Sequence, residues 1–242
     1  MAGPQIRGVL LDKDGTLIDC DATWAPVIHD VCRELSPPGD PADLIEAAGL
    51  NPDTGRLRPG SVWAAGATTE LVTLWWPDAD GDRILELAGK IDAIAARLGP
   101  LTAVPLLDLD RFLSELERRD LVFGIATNDS SVSLRAFLDR HGLIERVPYL
   151  YGYDSVANPK PCPDMVLAFC EAAGLSPEEV AVVGDNIHDL EMARSAGAGA
   201  AIGVLTGNSD RAHLAPHADA ILDGVGDLLS WLDTQRPGER AL

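Results

Sequence analysis

Two aspartates two residues apart, Asp12 and Asp14, close an apolar run, Val9-Leu10-Leu11, in the stretch RGVLLDKDGTLID. If the extended backbone continues, both carboxyls lean to one side while Lys13 points away. Carboxylates this close repel unless a cation lies between them or one takes a proton, and either arrangement is useful for chemistry. Gly15 then permits a tight turn and Thr16 adds a hydroxyl. An isolated Asp-Lys-Asp-Gly is equally a plain polar turn; the apolar strand before it shifts the balance, because ligands of open α/β sheets bind beyond the carboxyl ends of the strands.

Three further stretches carry groups suited to a phosphate ester. LVFGIA runs into Thr127-Asn128-Asp129, where a hydroxyl, a carboxamide and the free N–H groups of a helix start can grip an anion, although the same residues make an ordinary helix cap. Lys160 lies between Pro159 and Pro161 in a chain with only three lysines, the others being Lys13 and Lys90. The prolines hold the backbone extended and present its ammonium from a stiffened segment; the alternative is a solvated lysine beside a proline-rich loop. VAVV leads into Gly184-Asp185-Asn186-Ile187-His188-Asp189, which sets two carboxylates one helical turn apart. They are either hard oxygen ligands of the kind that suit Mg²⁺ or capping residues of an exposed helix. His188 reads as structural or solvated.

Elements must bring these groups together. Val9 to Leu11 lacks polar alternation and reads as a buried parallel strand. Helices are expected over Ala22–Leu35, from Asp40 as cap to Gly49, over Ser61–Trp76 and over Ala79–Leu98, with Asn51–Gly60 all turn signals and no convincing strand between. From Leu101 strands and helices alternate: helix Asp108–Arg119, strand Leu121–Ala126, helix Ser131–His141, strand Tyr149–Tyr151, helix Pro163–Ala173, strand Val180–Val183, helix Ile187–Ala196, strand Ala200–Leu205, strand Ala218–Leu222 and helix Asp227–Leu232. Alternation implies a parallel sheet. The expected fold is a doubly wound, Rossmann-like α/β core built from 1–20 and 100–242, with an all-helical insert over 21–99 and a frayed tail from Arg236.

Composition bounds the partners. The chain has 242 residues, 46% of them hydrophobic, enough for a sizeable core. A formal charge of −19 disfavours nucleic acid and anionic membranes. No run of about eighteen apolar residues exists, and the N-terminus lacks the apolar segment of a secretory signal, so a cytoplasmic protein is expected. Cys20, Cys32, Cys162 and Cys170 have neither CxxC nor zinc-site spacing and read as reduced, mostly packing residues. Monomer or homodimer stays open.

DKDGTLID, IATND, NPKPCPD and GDNIHDLEMA, in that order, resemble the four motifs of the haloacid-dehalogenase-like hydrolases, and the helical insert is similar to the cap of the phosphoglycolate-phosphatase-like branch. The resemblance implies a phosphatase with Asp12 as nucleophile, Asp14 as general acid/base, Thr127 as phosphate-binding hydroxyl, Lys160 as charge stabiliser, and Mg²⁺ held by Asp12, Asp185 and Asp189, with Asp14 contributing mainly its backbone carbonyl. Carbon–halogen and carbon–phosphorus cleaving relatives lack an aspartate where Asp14 stands. The latter also need a cap lysine, a role for which Lys90, late in a helix, is poorly placed. Asn128, Arg56 and Arg58 are candidate substrate contacts, and forked hydrogen bonds from the two arginines would suit the carboxylate of phosphoglycolate. A sugar phosphomutase of the same fold and a non-catalytic phosphate-binding or regulatory protein are the alternatives.

Overall fold

A computed structural model describes residues 5–235. Strand β1 (Gly8–Leu11) is followed by five helices: α1 (Cys20–Leu35), α2 (Pro41–Ala48), α3 (Val62–Ala65), α4 (Thr68–Trp75) and α5 (Gly81–Thr102). The alternating half then runs α6 (Leu109–Glu117), β2 (Val122–Ala126), α7 (Ser131–Arg140), β3 (Tyr149–Tyr151), α8 (Asp164–Ala173), β4 (Val180–Gly184), α9 (Ile187–Ala196), β5 (Ala200–Val204), α10 (Arg211–Leu214), β6 (Ala220–Leu222) and α11 (Leu228–Gln235). The expectation for the tail from Arg236 lies outside the described residues.

The strands form one sheet in the order β3-β2-β1-β4-β5-β6. Every pairing is parallel, with Leu11 level with Ile125 on one side and Val183 on the other. The unbroken apolar runs follow from this, because both faces are covered. Val9 and Leu11 point into a cluster completed by Phe112, Leu116, Phe137 and Leu228 from α6, α7 and α11. Leu10 points the other way, towards Met165, Phe169 and Leu190 from α8 and α9. The fold is thus a doubly wound α/β sheet, and β1 and β4 flank the point where the strand order reverses.

Helices α1 to α5 pack around an apolar cluster of their own, with Ile28, Val31, Val72, Trp75 and Ile91 at its centre. Local signals set their ends. The Asp40 carboxylate accepts from Ala42 N at 2.9 Å to start α2 with Pro41 in its first turn, and Asp80 accepts from Arg83 N at 2.9 Å to start α5. The expected single helix over Ser61–Trp76 is instead two. Gly66 and Ala67 are extended, with ψ of 167° and 156°, because glycine is a poor helix former and Glu70 begins a new helix by accepting from Ala67 N. The break leaves the Ala65 carbonyl unpaired within its helix and aimed at the sheet. Helix α5 also outruns its expected end, carrying Pro100 in its last turn.

Candidate active site

The ladder of β1 extends one step beyond the strand, as Asp12 N donates to Val183 O at 2.8 Å, and places the Asp12 side chain at the reversal point of the sheet. The chain then turns: Leu17 N and Ile18 N both donate to Lys13 O, and Gly15 adopts φ +80°. A β-carbon at Gly15 would lie 2.6 Å from Asp185 Cγ, and one at Gly207 would lie 1.8 Å from Asp185 Oδ2. Both positions must be glycine for Asp185, at the end of β4, to occupy its place. Asp189 follows in the first turn of α9, its Oδ2 accepting from Asn186 N at 3.1 Å. Asp12, Asp185 and Asp189 are buried, and one oxygen from each lies within 4.8 Å of the others.

Lys160 enters from the loop between β3 and α8. Its Nζ lies 2.7 Å from Asp12 Oδ1 and 2.5 Å from Asp189 Oδ1, and the side chain is buried. The backbone around it is not extended as expected. Residues 160 and 161 form a turn with a cis Lys160–Pro161 peptide, closed by Cys162 N donating to Pro159 O. The Asn128 carboxamide fastens that turn, accepting from Lys160 N and donating to Lys160 O, each at 3.2 Å.

Three buried carboxylates face one ammonium. Burial pushes Asp12 up to about 7, opposed by Lys160 and reinforced by Asp189 and Asp14. Burial, then repulsion from Asp12 and Asp189, pushes Asp185 well above the usual carboxylate range. Burial alone would lower Lys160, but attraction to Asp12 and Asp189 outweighs it and the ammonium is held charged. A set of hard oxygens with a deficit of positive charge fits a divalent cation such as Mg²⁺, whose field favours the ionised carboxylates.

Asp14 does not join that set with its carboxylate, because the turn at Lys13 ends the extension that would have kept it beside Asp12. Its Oδ1 accepts from the Trp24 indole N–H at 2.5 Å, and its Oδ2 lies 3.1 Å from Lys13 Nζ and 3.4 Å from Thr127 Oγ1. Lys13, expected to point away, curls back as a buried cation 2.7 Å from Asp129 and 4.7 Å from the centre of the Trp24 ring. Asp12, Asp14, Thr127, Asn128, Lys160, Asp185 and Asp189 therefore line one cleft of roughly 750 Å³ including its mouth.

The structure does not bring Arg56 and Arg58 to this cleft. Arg56 Nε bonds Asp21 Oδ2 at 2.8 Å, and Arg58 pairs with Glu46 at 2.6 Å. Asp21 also accepts from Leu57 N, so the turn-rich loop is fastened to the first turn of α1 and the arginines are spent there. The helical layer reaches the site instead through Trp24, through Trp63, and through the Ala65 carbonyl at the helix break, which accepts from Asn128 Nδ2 at 2.8 Å and lies 3.4 Å from His188 Nδ1. Trp63 stacks on Trp75 at 6.3 Å and also lines the cleft. Lys90 pairs with Glu86, outside the cleft.

Sequence reasoning missed Asp92. This buried α5 carboxylate accepts from Thr68 Oγ1 at 2.7 Å and from the Tyr153 hydroxyl, beyond β3, at 2.8 Å, tying the helical layer to the sheet layer. The signal was present as an aspartate on the apolar face made by Ala88, Ile91 and Ala95.

A family model for haloacid dehalogenase-like hydrolases matches residues 6–197. An N-acetylmuramic acid 6-phosphate phosphatase of Pseudomonas aeruginosa is 27% identical over 95% of this chain and 96% of its own. A phosphoglycolate phosphatase of Xylella fastidiosa is 31% identical over 79% of this chain and 77% of its own. Among solved structures, a haloacid dehalogenase-like hydrolase of Bacteroides fragilis superposes with a TM-score of 0.74 at 20% identity, over 93% of this chain and 100% of that one.

Proposed function

Because the chain belongs to the haloacid dehalogenase-like hydrolases, on the branch that holds phosphoglycolate phosphatases, we propose that it hydrolyses a small phosphate monoester through a phosphorylated Asp12. The observation that carries this reading is the convergence of Asp12, Asp14, Thr127 and Lys160 on one cleft from three separate stretches of chain.

Asp12 attacks phosphorus, forming an aspartyl-phosphate as the ester P–O bond breaks, and so splits one hard displacement into two easier ones. Asp14, close by but held apart from the carboxylate cluster, gives a proton to the leaving alkoxide and then takes one from the water that releases inorganic phosphate and restores Asp12. Lys160 and the Thr127 hydroxyl hold the phosphoryl oxygens, charge stabilisation arranged in advance of the reaction. Mg²⁺ held by Asp12, Asp185 and Asp189 would supply further positive charge to a phosphoryl oxygen. The helices above exclude water from the intermediate.

The test is hydrolysis of para-nitrophenyl phosphate with Mg²⁺ and with EDTA, for wild type and Asp12→Asn. Activity lost on chelation and lost in the variant supports the proposal; activity indifferent to both, or none at all, removes it. Free phosphate released without any bisphosphate activator separates a phosphatase from a mutase.

Arg56 and Arg58, which would have suited phosphoglycolate, lie outside the cleft, so that substrate is left with the resemblance to its phosphatases alone. The partner is proposed as a small-molecule phosphate ester. No described helix is long and apolar enough to cross a membrane.

A further inference from the structure

Resting on the phosphatase reading above, we infer that the group leaving with the ester oxygen is uncharged and presents an apolar face, so that esters bearing a second anion, phosphoglycolate among them, are disfavoured. The cleft has two unlike walls. Its floor, from the sheet layer, holds all of its acidic groups together with Lys160. Its roof is made by Val62, Ala64, Ala67, Leu71, Ile91 and Ala95, with the indoles of Trp24 and Trp63 set at 75° to each other as a corner.

Among the described residues, no arginine or lysine serves that roof. Arg33, Arg56, Arg58, Arg83, Lys90 and Arg97 of the helical layer are each ion-paired with an acid of the same layer, and none lines the cleft. Lys160 is the lysine that lines it, and it sits on Asp12 and Asp189 at the phosphoryl end. A carboxylate on the leaving group would be desolvated against aliphatic side chains with no arginine or lysine beside it, in the field of Asp14 and Asp129 on the floor, its available donors being the Trp63 indole and the His188 ring. An apolar ring or chain meets the opposite conditions, since it is drawn from water onto matching surface and can lie in the indole corner. The roof's polar groups are few: the Thr68 hydroxyl already donates to Asp92, and the Ala65 carbonyl already accepts from Asn128.

The experiment compares benzyl phosphate with 4-carboxybenzyl phosphate, which have closely similar leaving alcohols and differ in charge, using the full chain with Mg²⁺. We expect kcat/KM for the neutral ester to exceed that for the carboxylate by about tenfold or more, one unpaired buried charge being enough for that ratio. Equal or reversed preference overturns the inference. Val62→Lys, at a half-buried roof position, adds the missing cation and should narrow the ratio, with Ala64→Lys as the replacement if the first fails to fold; a folded variant with an unchanged ratio also counts against it. Asp12→Asn separates the two levels. If it abolishes turnover of both esters while the carboxylate is preferred, only the substrate class is wrong; if it leaves both turnovers intact, the phosphatase reading falls too.

Discussion

Asp92→Asn should stabilise this protein at neutral pH and lose that advantage in acid. The Asp92 carboxyl, ordinarily 3.8, is pushed up to about 6 by burial, against the opposing hydrogen bonds from Thr68 and Tyr153. At about 1.4 kcal/mol per pH unit of difference between folded and unfolded chain, ionising it in the fold costs roughly 3 kcal/mol more than in the unfolded state. The sign follows from which state holds the proton. Below about pH 4 the carboxyl is neutral in both states and nothing is lost. Between about 4 and 6 only the folded state keeps the proton, so stability falls as pH rises, and above 6 the whole cost is present. The asparagine amide does not titrate, and the Thr68 and Tyr153 hydroxyls can still bond it. The stability difference, variant minus wild type, should therefore grow by about 2–3 kcal/mol from pH 4 to pH 7, or roughly 5–10 °C in Tm for a chain of this size. Denaturant midpoints of both proteins across that range measure it, and the other carboxylates cancel in the difference. A difference that stays constant with pH, or shrinks as pH rises, would refute the reasoning.

Trp24→Phe keeps a ring over Lys13 but removes the N–H that bonds Asp14. It should lower kcat about tenfold for benzyl phosphate, whose alkoxide needs a proton, and little for para-nitrophenyl phosphate, whose leaving group does not; equal losses on both would reduce Trp24 to packing. In the absence of metal, Asp185→Asn should raise thermal stability by relieving repulsion within the buried carboxylate set. The same variant should abolish the rise in Tm that Mg²⁺ gives wild type, which at a hundredfold excess over Kd amounts to about 2.7 kcal/mol. A metal-dependent rise retained in that variant would take Asp185 out of the metal site.

Much of the framework was legible because it depends on local patterns. Val9-Leu10-Leu11 and VAVV have no polar position, so they had to be strands covered on both faces, and the polar groups at their ends had to converge beyond the sheet. That pattern puts Asp12 and Asp185 at the strand ends, while the roles given to them came from the resemblance. What was illegible depends on partners distant in the chain. Arg56 and Arg58 look available in a glycine-rich turn, yet Asp21 and Glu46, brought close by folding, claim them. Lys13 looked turned aside, but the tight turn at Gly15 and the approach of Asp129 from the loop after β2 draw it inward. Trp24 fell on the apolar stripe of α1, and only the docking of that helix over the end of β1 gives its N–H a carboxylate. The helix break at Gly66 was hidden because alanines and threonines on either side are compatible with one continuous helix, while its function, aiming the Ala65 carbonyl at Asn128, is visible only in three dimensions.

Phosphoryl transfer to Asp12 is the step on which the proposed function rests. Wild-type protein mixed with benzyl phosphate and Mg²⁺, quenched in acid within a single turnover and mapped by peptide mass spectrometry, reads this directly. One phosphoryl group is expected on the peptide carrying Asp12, absent from Asp12→Asn and decaying as inorganic phosphate appears. A phosphoryl group on another residue, or full turnover by Asp12→Asn, would contradict it.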